Sequence, residues 1–169
     1  MKYNSSVYLK DVTKYEYKIH VDLSLDQVVS VKKILKIKEP FILNEDGTNI
    51  KILDDGYSIV EVINFDEDYI CRAFFDDKDN LIEKFFTAIK NGKIADGVAC
   101  YEDLKFSFVV SKVSKKFYNK EGLIDLLERK EITKEECEKA EKTVKNMKLK
   151  FEENSDFDDK LKKYLKKGE

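Results

Sequence analysis

The feature that most limits the fold of this chain is a single change in the spacing of its apolar residues. Over the first two thirds they alternate with polar ones or form short runs, as in Tyr15-Glu16-Tyr17-Lys18-Ile19-His20-Val21. A period of two sends successive side chains to opposite faces and marks half-buried strands. After Asn119 the spacing becomes three and four. Cys137, Ala140, Val144, Met147 and Phe151 then line one face of a helix. Strands with short connections followed by helices specify an α+β chain whose helices cover a sheet.

The strands follow one another closely. Val7 to Val12 is short and mixed. Val28 to Ile37 fits strand or helix, and its Val and Ile content favours strand. Between Phe41 and Leu53, Asp46-Gly47 separates two apolar runs as a hairpin turn does. Tyr57–Phe65 and Tyr69–Phe75 join through Asp66-Glu67-Asp68. Leu81–Ile89 comes next, then Lys90–Gly97, which reads as a loop. Tyr101–Ser111 is a further strand, and Lys112–Tyr118 returns beside it. On Tyr101–Ser111, Leu104, Phe106, Phe108 and Val110 form the core face. Lys105, Ser107, Val109 and Ser111 face a cleft or water, with Asp103 at its mouth. No long helix interrupts these segments, so the expected architecture is a small antiparallel β-barrel with C-terminal helices alongside.

Glu121–Lys130 reads as a short helix. Thr133 and Glu136 form a capping box that opens the next one. A third is capped by Ser155 or Asp156, carries acids in its first turn and ends in lysines, which complements the helix dipole. Residues 1–153 are expected to be the barrel domain with its helices. Residues 154–169 are expected to be an additional amphipathic helix, packed on this chain or on a partner.

Charge narrows the partners. Thirty-two basic and 34 acidic side chains leave a formal net charge of -2, so charge gives nucleic-acid binding no support. Cys71, Cys100 and Cys137 have no zinc-type spacing and read as small buried hydrophobes in a reducing compartment. The stretch MKYNSSVYLKDVTK has no apolar leader, and no apolar run reaches membrane-spanning length. The expectation is a cytoplasmic protein with no membrane partner. His20 has no nucleophile or second His at motif spacing. Asp76–Asn80 lacks the central Gly and final Glu of a calcium loop.

Three segments, in order, resemble the FomD-like barrel family (domain of unknown function 402), whose members include nucleoside di- and triphosphatases. YSIVEVINFDEDYICRAFFDDKDNLIEKFFTAI resembles the family's paired strands ending in a Tyr-x-Asp-Ile element. YEDLKFSFVV resembles its Asp-Leu-x-Leu-Asp strand. NKEGLIDLLERKEITKEECEKA resembles its Asp-x-Asp-Glu-Leu helix and the helix opened by Ile-Thr. The likeness runs from Tyr57 to Val144 and implies a barrel that hydrolyses nucleotide phosphoanhydrides with a divalent metal held by acids. Carried over one position at a time, the first acid falls on Thr87. Asp103 is retained, and the second strand acid falls on Ser107. The helix positions fall on Asn119, Lys120, Glu121 and Gly122.

The resemblance thus implies a catalytic and metal-ligating role for Asp103, with Glu121 as a second ligand, and Mg²⁺ as cofactor if the site is active. Lys105 and Lys84 are the expected phosphate-binding residues. Most of the acids that a hard cation would use are replaced by hydroxyl, amide or Lys. On a straight strand, Asp103 and Ser107 would also stand roughly 13 Å apart. The residues therefore favour a catalytically degenerate relative that binds a nucleotide or another phosphorylated small molecule. Two alternatives stay open: an active Mg-dependent nucleoside di-/triphosphate phosphohydrolase, and a non-enzymatic protein-interaction module.

Overall fold

The computed structural model describes residues 2–3, 9–22 and 27–166. Its strands are β1 (Lys2–Tyr3), β2 (Val12–Asp22), β3 (Gln27–Ile37), β4 (Phe41–Glu45), β5 (Thr48–Leu53) and β6 (Ser58–Asn64). They continue with β7 (Tyr69–Phe75), β8 (Leu81–Ala95), β9 (Val98–Ser111) and β10 (Lys115–Tyr118). The helices α1 (Lys120–Glu128), α2 (Lys134–Phe151) and α3 (Ser155–Lys166) follow. Residues 7–8 of the short segment expected before Val12 lie outside the described residues.

Eight strands form one antiparallel sheet in the order β1-β9-β8-β7-β6-β3-β2, with β10 also paired to β9. The expected barrel is not formed. Among the described residues, β2 pairs only with β3, and the outer edge of β9 is taken by β1 and β10. Closure would require the two edges to meet. Instead the sheet stays open and each face is covered separately. The helices pack on one face. On the other lies a two-stranded hairpin, β4-β5, which is inserted between β3 and β6 although those strands pair directly.

The helix-side core joins Val60, Phe75, Phe86, Leu104, Phe106 and Phe108 to Leu123 of α1, the α2 stripe and Leu161 of α3. All five α2 stripe residues are buried, and the Thr133–Glu136 capping box is present. Phe86 and Phe151 stack with ring centroids 4.6 Å apart. Thus α3 packs on its own chain. Its first free N–H groups are capped by Asn154, whose side chain accepts from the Phe157 N–H at 3.0 Å, one residue before the expected cap.

On the hairpin side, Ile34, Ile59 and Phe74 of the sheet meet Ile52 and Leu53 of β5. The Asp46-Gly47 turn has positive φ at both residues, 50° and 84°, as a two-residue hairpin requires. The loop expected at Lys90–Gly97 is instead the end of β8, which turns at Asp96-Gly97. Asn91 has φ 54°, and a Cβ on Gly92 would lie 2.6 Å from Phe65, so an Asn-Gly irregularity is built into the strand. The pairing of β8 with β9 shifts register there and then resumes.

Among the described residues, no helix is long and apolar enough to cross a membrane. The three cysteines are free and buried.

Candidate functional site

The hairpin does not lie flat on the sheet. Between them, and bounded by β10 and the start of α1, is a cleft of about 360 Å³. Phe41, Leu43 and Ile52 of the hairpin, Phe74 and Phe85 of the sheet, and Tyr118 of β10 supply its apolar wall. Its polar wall contains Arg72, Thr87, Asp103, Lys105, Ser107 and Asn119, with Lys116 and Glu45 nearby in the lining.

Four positions that the resemblance singles out therefore converge: Thr87, Asp103, Ser107 and Asn119. Thr87 and Ser107 sit opposite each other in the β8-β9 register, and their hydroxyl oxygens are 2.7 Å apart. Each hydroxyl thus already has a partner. Asp103 reaches the same cavity because β9 is not straight. Lys105 has φ 71°, a left-handed conformation rare for a side chain inside a strand. The Asp103 Oδ1 accepts from the Lys105 N–H at 2.7 Å and holds that kink. The start of α1 fits against it. A Cβ on Gly122 would lie 2.8 Å from the Lys105 Cβ and equally close to the Asn119 amide.

The other expected site residues lie elsewhere. Glu121 is exposed on α1 and lines neither cavity that Asp103 touches. Lys84 alternates to the helix face of β8, where it is buried and ion-paired with Asp158 of α3. Asp103 and Lys105 therefore share a site, while Lys84 and Glu121 do not join it.

Sequence reasoning missed two buried charge groupings on the cleft side of the sheet. In the first, Lys32 donates to Glu61 at 2.5 Å, and Arg72 Nε lies 3.8 Å from the other Glu61 oxygen. Arg72 Nη2 also donates to the Tyr101 hydroxyl oxygen at 2.6 Å. Burial pushes the Tyr101 hydroxyl up to about 12, so it stays protonated. This chain of contacts crosses the sheet and orients Arg72 at the cleft. The available signal was the single charge in each apolar strand, Glu61 in SIVEVIN and Arg72 in YICRAFF.

The second grouping is Glu83 with Glu45. Glu83 is 1% exposed, and neither of its oxygens meets a donor among the described residues. Burial first, and then the adjoining Glu45 carboxylate, push its pKa up to about 9. It therefore carries a proton at neutral pH, beside the Glu45 carboxylate. Ser111 Oγ donates to the Glu45 Oε2 at 2.9 Å, so β4 is tied to β9 at the same point.

As a metal centre the cleft is poorly equipped. Its lining offers two carboxylates, Asp103 and Glu45, two hydroxyls bonded to each other and the amides of Asn44 and Asn119, beside Arg72, Lys105 and Lys116; Glu45 is already engaged by Ser111 and adjoins Glu83. Among the described residues, no group of three His, Cys, Asp or Glu is placed to hold one ion. Magnesium prefers carboxylate and water oxygens, and neighbouring cations oppose it. The residues present do not fit a magnesium centre built by the protein.

No family model and no curated protein matches the chain. Solved structures do match at the level of the fold. One is the phosphatase SC4828 with the non-hydrolyzable nucleotide GPCP, at TM-score 0.52 and 9% identity, over 72% of this chain and 66% of that one. This chain thus spans just under two thirds of that phosphatase. Another is FomD in complex with CDP, at TM-score 0.55 and 11% identity, over 79% of this chain and 73% of that one.

Proposed function

We propose that the cleft under the β4-β5 hairpin binds a nucleotide, or a phosphorylated small molecule of similar shape, without efficient hydrolysis. The observation that carries this reading is the division of the cleft. Phe41, Phe85 and Tyr118 offer aromatic surface to a planar ring, while Lys105 and Lys116, the latter also paired with Asp46 at 3.3 Å, offer positive charge to phosphate, and Arg72 adds its charge from its place beside Glu61 and Tyr101. Pockets of this size with a mostly apolar lining and a few convergent polar groups are the usual form of a small-molecule site. The two solved structures of similar fold are nucleotide complexes, which is in keeping with this ligand class. The scarcity of carboxylates in the wall supports binding over metal-assisted phosphoryl transfer.

Calorimetric titration with CDP, GDP and nucleoside triphosphates, with and without Mg²⁺, tests the reading. Saturable binding is expected that survives chelation of metal and weakens as salt rises. Lys105→Ala and Lys116→Ala should each reduce affinity about five- to tenfold. Absence of binding at millimolar ligand would overturn the proposal. Mg-dependent phosphate release that disappears in Asp103→Ala would replace it with the hydrolase reading.

A further inference from the structure

The sheet ends in an edge strand of unusual length and symmetry. β2 runs for eleven residues and pairs with β3 on one side only, among the described residues. Such an edge presents a row of backbone N–H and C=O groups to any complementary strand. One face of β2 carries Tyr15, Tyr17 and Ile19, which are 48%, 43% and 36% exposed. The other face carries Lys14, Glu16, Lys18 and His20, all exposed.

We propose that two copies of this chain join their sheets through β2, antiparallel, about a two-fold axis at Tyr17. Antiparallel self-pairing keeps each side chain on its own face, so the axis must pass through a residue. Tyr17 is the midpoint of β2, and only there does the whole strand find a partner. That register sets Glu16 opposite Lys18 on both sides of the axis. It also sets Tyr15 opposite Ile19, Tyr17 opposite itself and Lys14 opposite His20. An axis at Glu16 would oppose Glu16 to itself and Lys14 to Lys18. An axis at Lys18 would oppose that lysine to itself. Opposite charges and aromatic–aliphatic pairs across a ladder are each stabilising, and like charges are not. Lysines and bulges often protect an edge from such pairing. Here the register irregularities stop at Tyr15, and pairing with β3 is regular from Tyr15 to His20.

Sedimentation or light scattering of the intact chain over a micromolar-to-millimolar series should give a monomer–dimer equilibrium. Glu16→Lys and Lys18→Glu should each weaken it at least about tenfold, since each creates two repulsive pairs. The double variant Glu16→Lys/Lys18→Glu should restore it. Under mild oxidation Tyr17→Cys should form a disulfide with its own copy, because facing Cα atoms lie about 4.5–5.5 Å apart. Glu16→Cys should not link to itself, but should link to Lys18→Cys when the two are mixed. A monomer at every concentration with no 17–17 disulfide would overturn the proposal. So would a dimer indifferent to both single charge reversals.

Discussion

The Asp103 carboxylate accepts a hydrogen bond from the Lys105 backbone N–H two residues on, across a kink in which Lys105 has φ 71°. The acid to which the family resemblance assigns a metal is thus also a structural element of its own strand. Its removal should be felt first in stability. Asp103→Asn keeps an acceptor and should stay close to the parent. Asp103→Ala should lose about 1 kcal/mol, a fall of roughly 2–4 °C in Tm for a chain of this size. Scanning calorimetry of both variants checks this. An equal loss in Asn and Ala would mean that the negative charge, and not the hydrogen bond, matters.

Gly122→Ala should destabilise the chain by about 1–3 kcal/mol, because its new Cβ has no room beside Lys105 and Asn119. Adding Lys105→Gly removes the opposing Cβ and also suits a positive φ. The double variant should recover most of the loss in a denaturant titration. No recovery would mean that the Asn119 amide is the decisive neighbour.

The Lys84–Asp158 ion pair ties α3 to β8, and Lys84 is buried while Asp158 is partly exposed. Asp158→Ala would leave a buried ammonium without its carboxylate, at a loss of about 2 kcal/mol. Lys84→Met replaces the charge with apolar volume and should lie within about 1 kcal/mol of the parent. Urea midpoints at constant slope are the measure. Equal losses from the two substitutions would contradict this account of the pair.

Glu83 gives the fold a pH dependence of definite sign. Its folded-state pKa of about 9 lies above the ordinary value of 4.5, so the folded chain holds more protons than the unfolded one between those limits. Its contribution to stability is complete below the lower limit, declines as pH rises through the window and is gone above the upper one. Glu83→Gln places a permanently neutral side chain beside Glu45. It should flatten this decline and raise stability most at alkaline pH. Melting curves from pH 5 to pH 10 would show it as a converging pair at the acid end. Parallel curves would mean that Glu83 does not titrate in this way.

Local signals in the sequence were enough for much of this architecture. The two faces of β9 and the cap and stripe of α2 follow from spacing that depends only on neighbouring residues. The barrel failed for a reason spacing cannot express, since whether two edge strands meet depends on the twist of the whole sheet. The end of β8 was hidden because Asn91-Gly92 resembles a turn and proved to be an irregularity inside a strand. In the site, alternation alone put Asp103, Lys105 and Ser107 on one side. Their meeting with Thr87 required the β8-β9 register and the kink at Lys105. Glu45 and Glu83 belong to different sheets, so no local pattern foretold their contact.

The hairpin that roofs the cleft is inserted between strands that pair without it. Its Phe41, Leu43 and Ile52 belong to the insert, whereas Arg72, Lys105 and Lys116 belong to the large sheet. On the proposed reading, changes at Phe41 and Leu43 would reshape one wall of the cleft while the large sheet that carries Arg72, Lys105 and Lys116 stayed unchanged. The roof is free to vary only where it faces the cleft, because Ile52, Leu53 and Glu45 of the same hairpin are buried against the sheet and help to hold it.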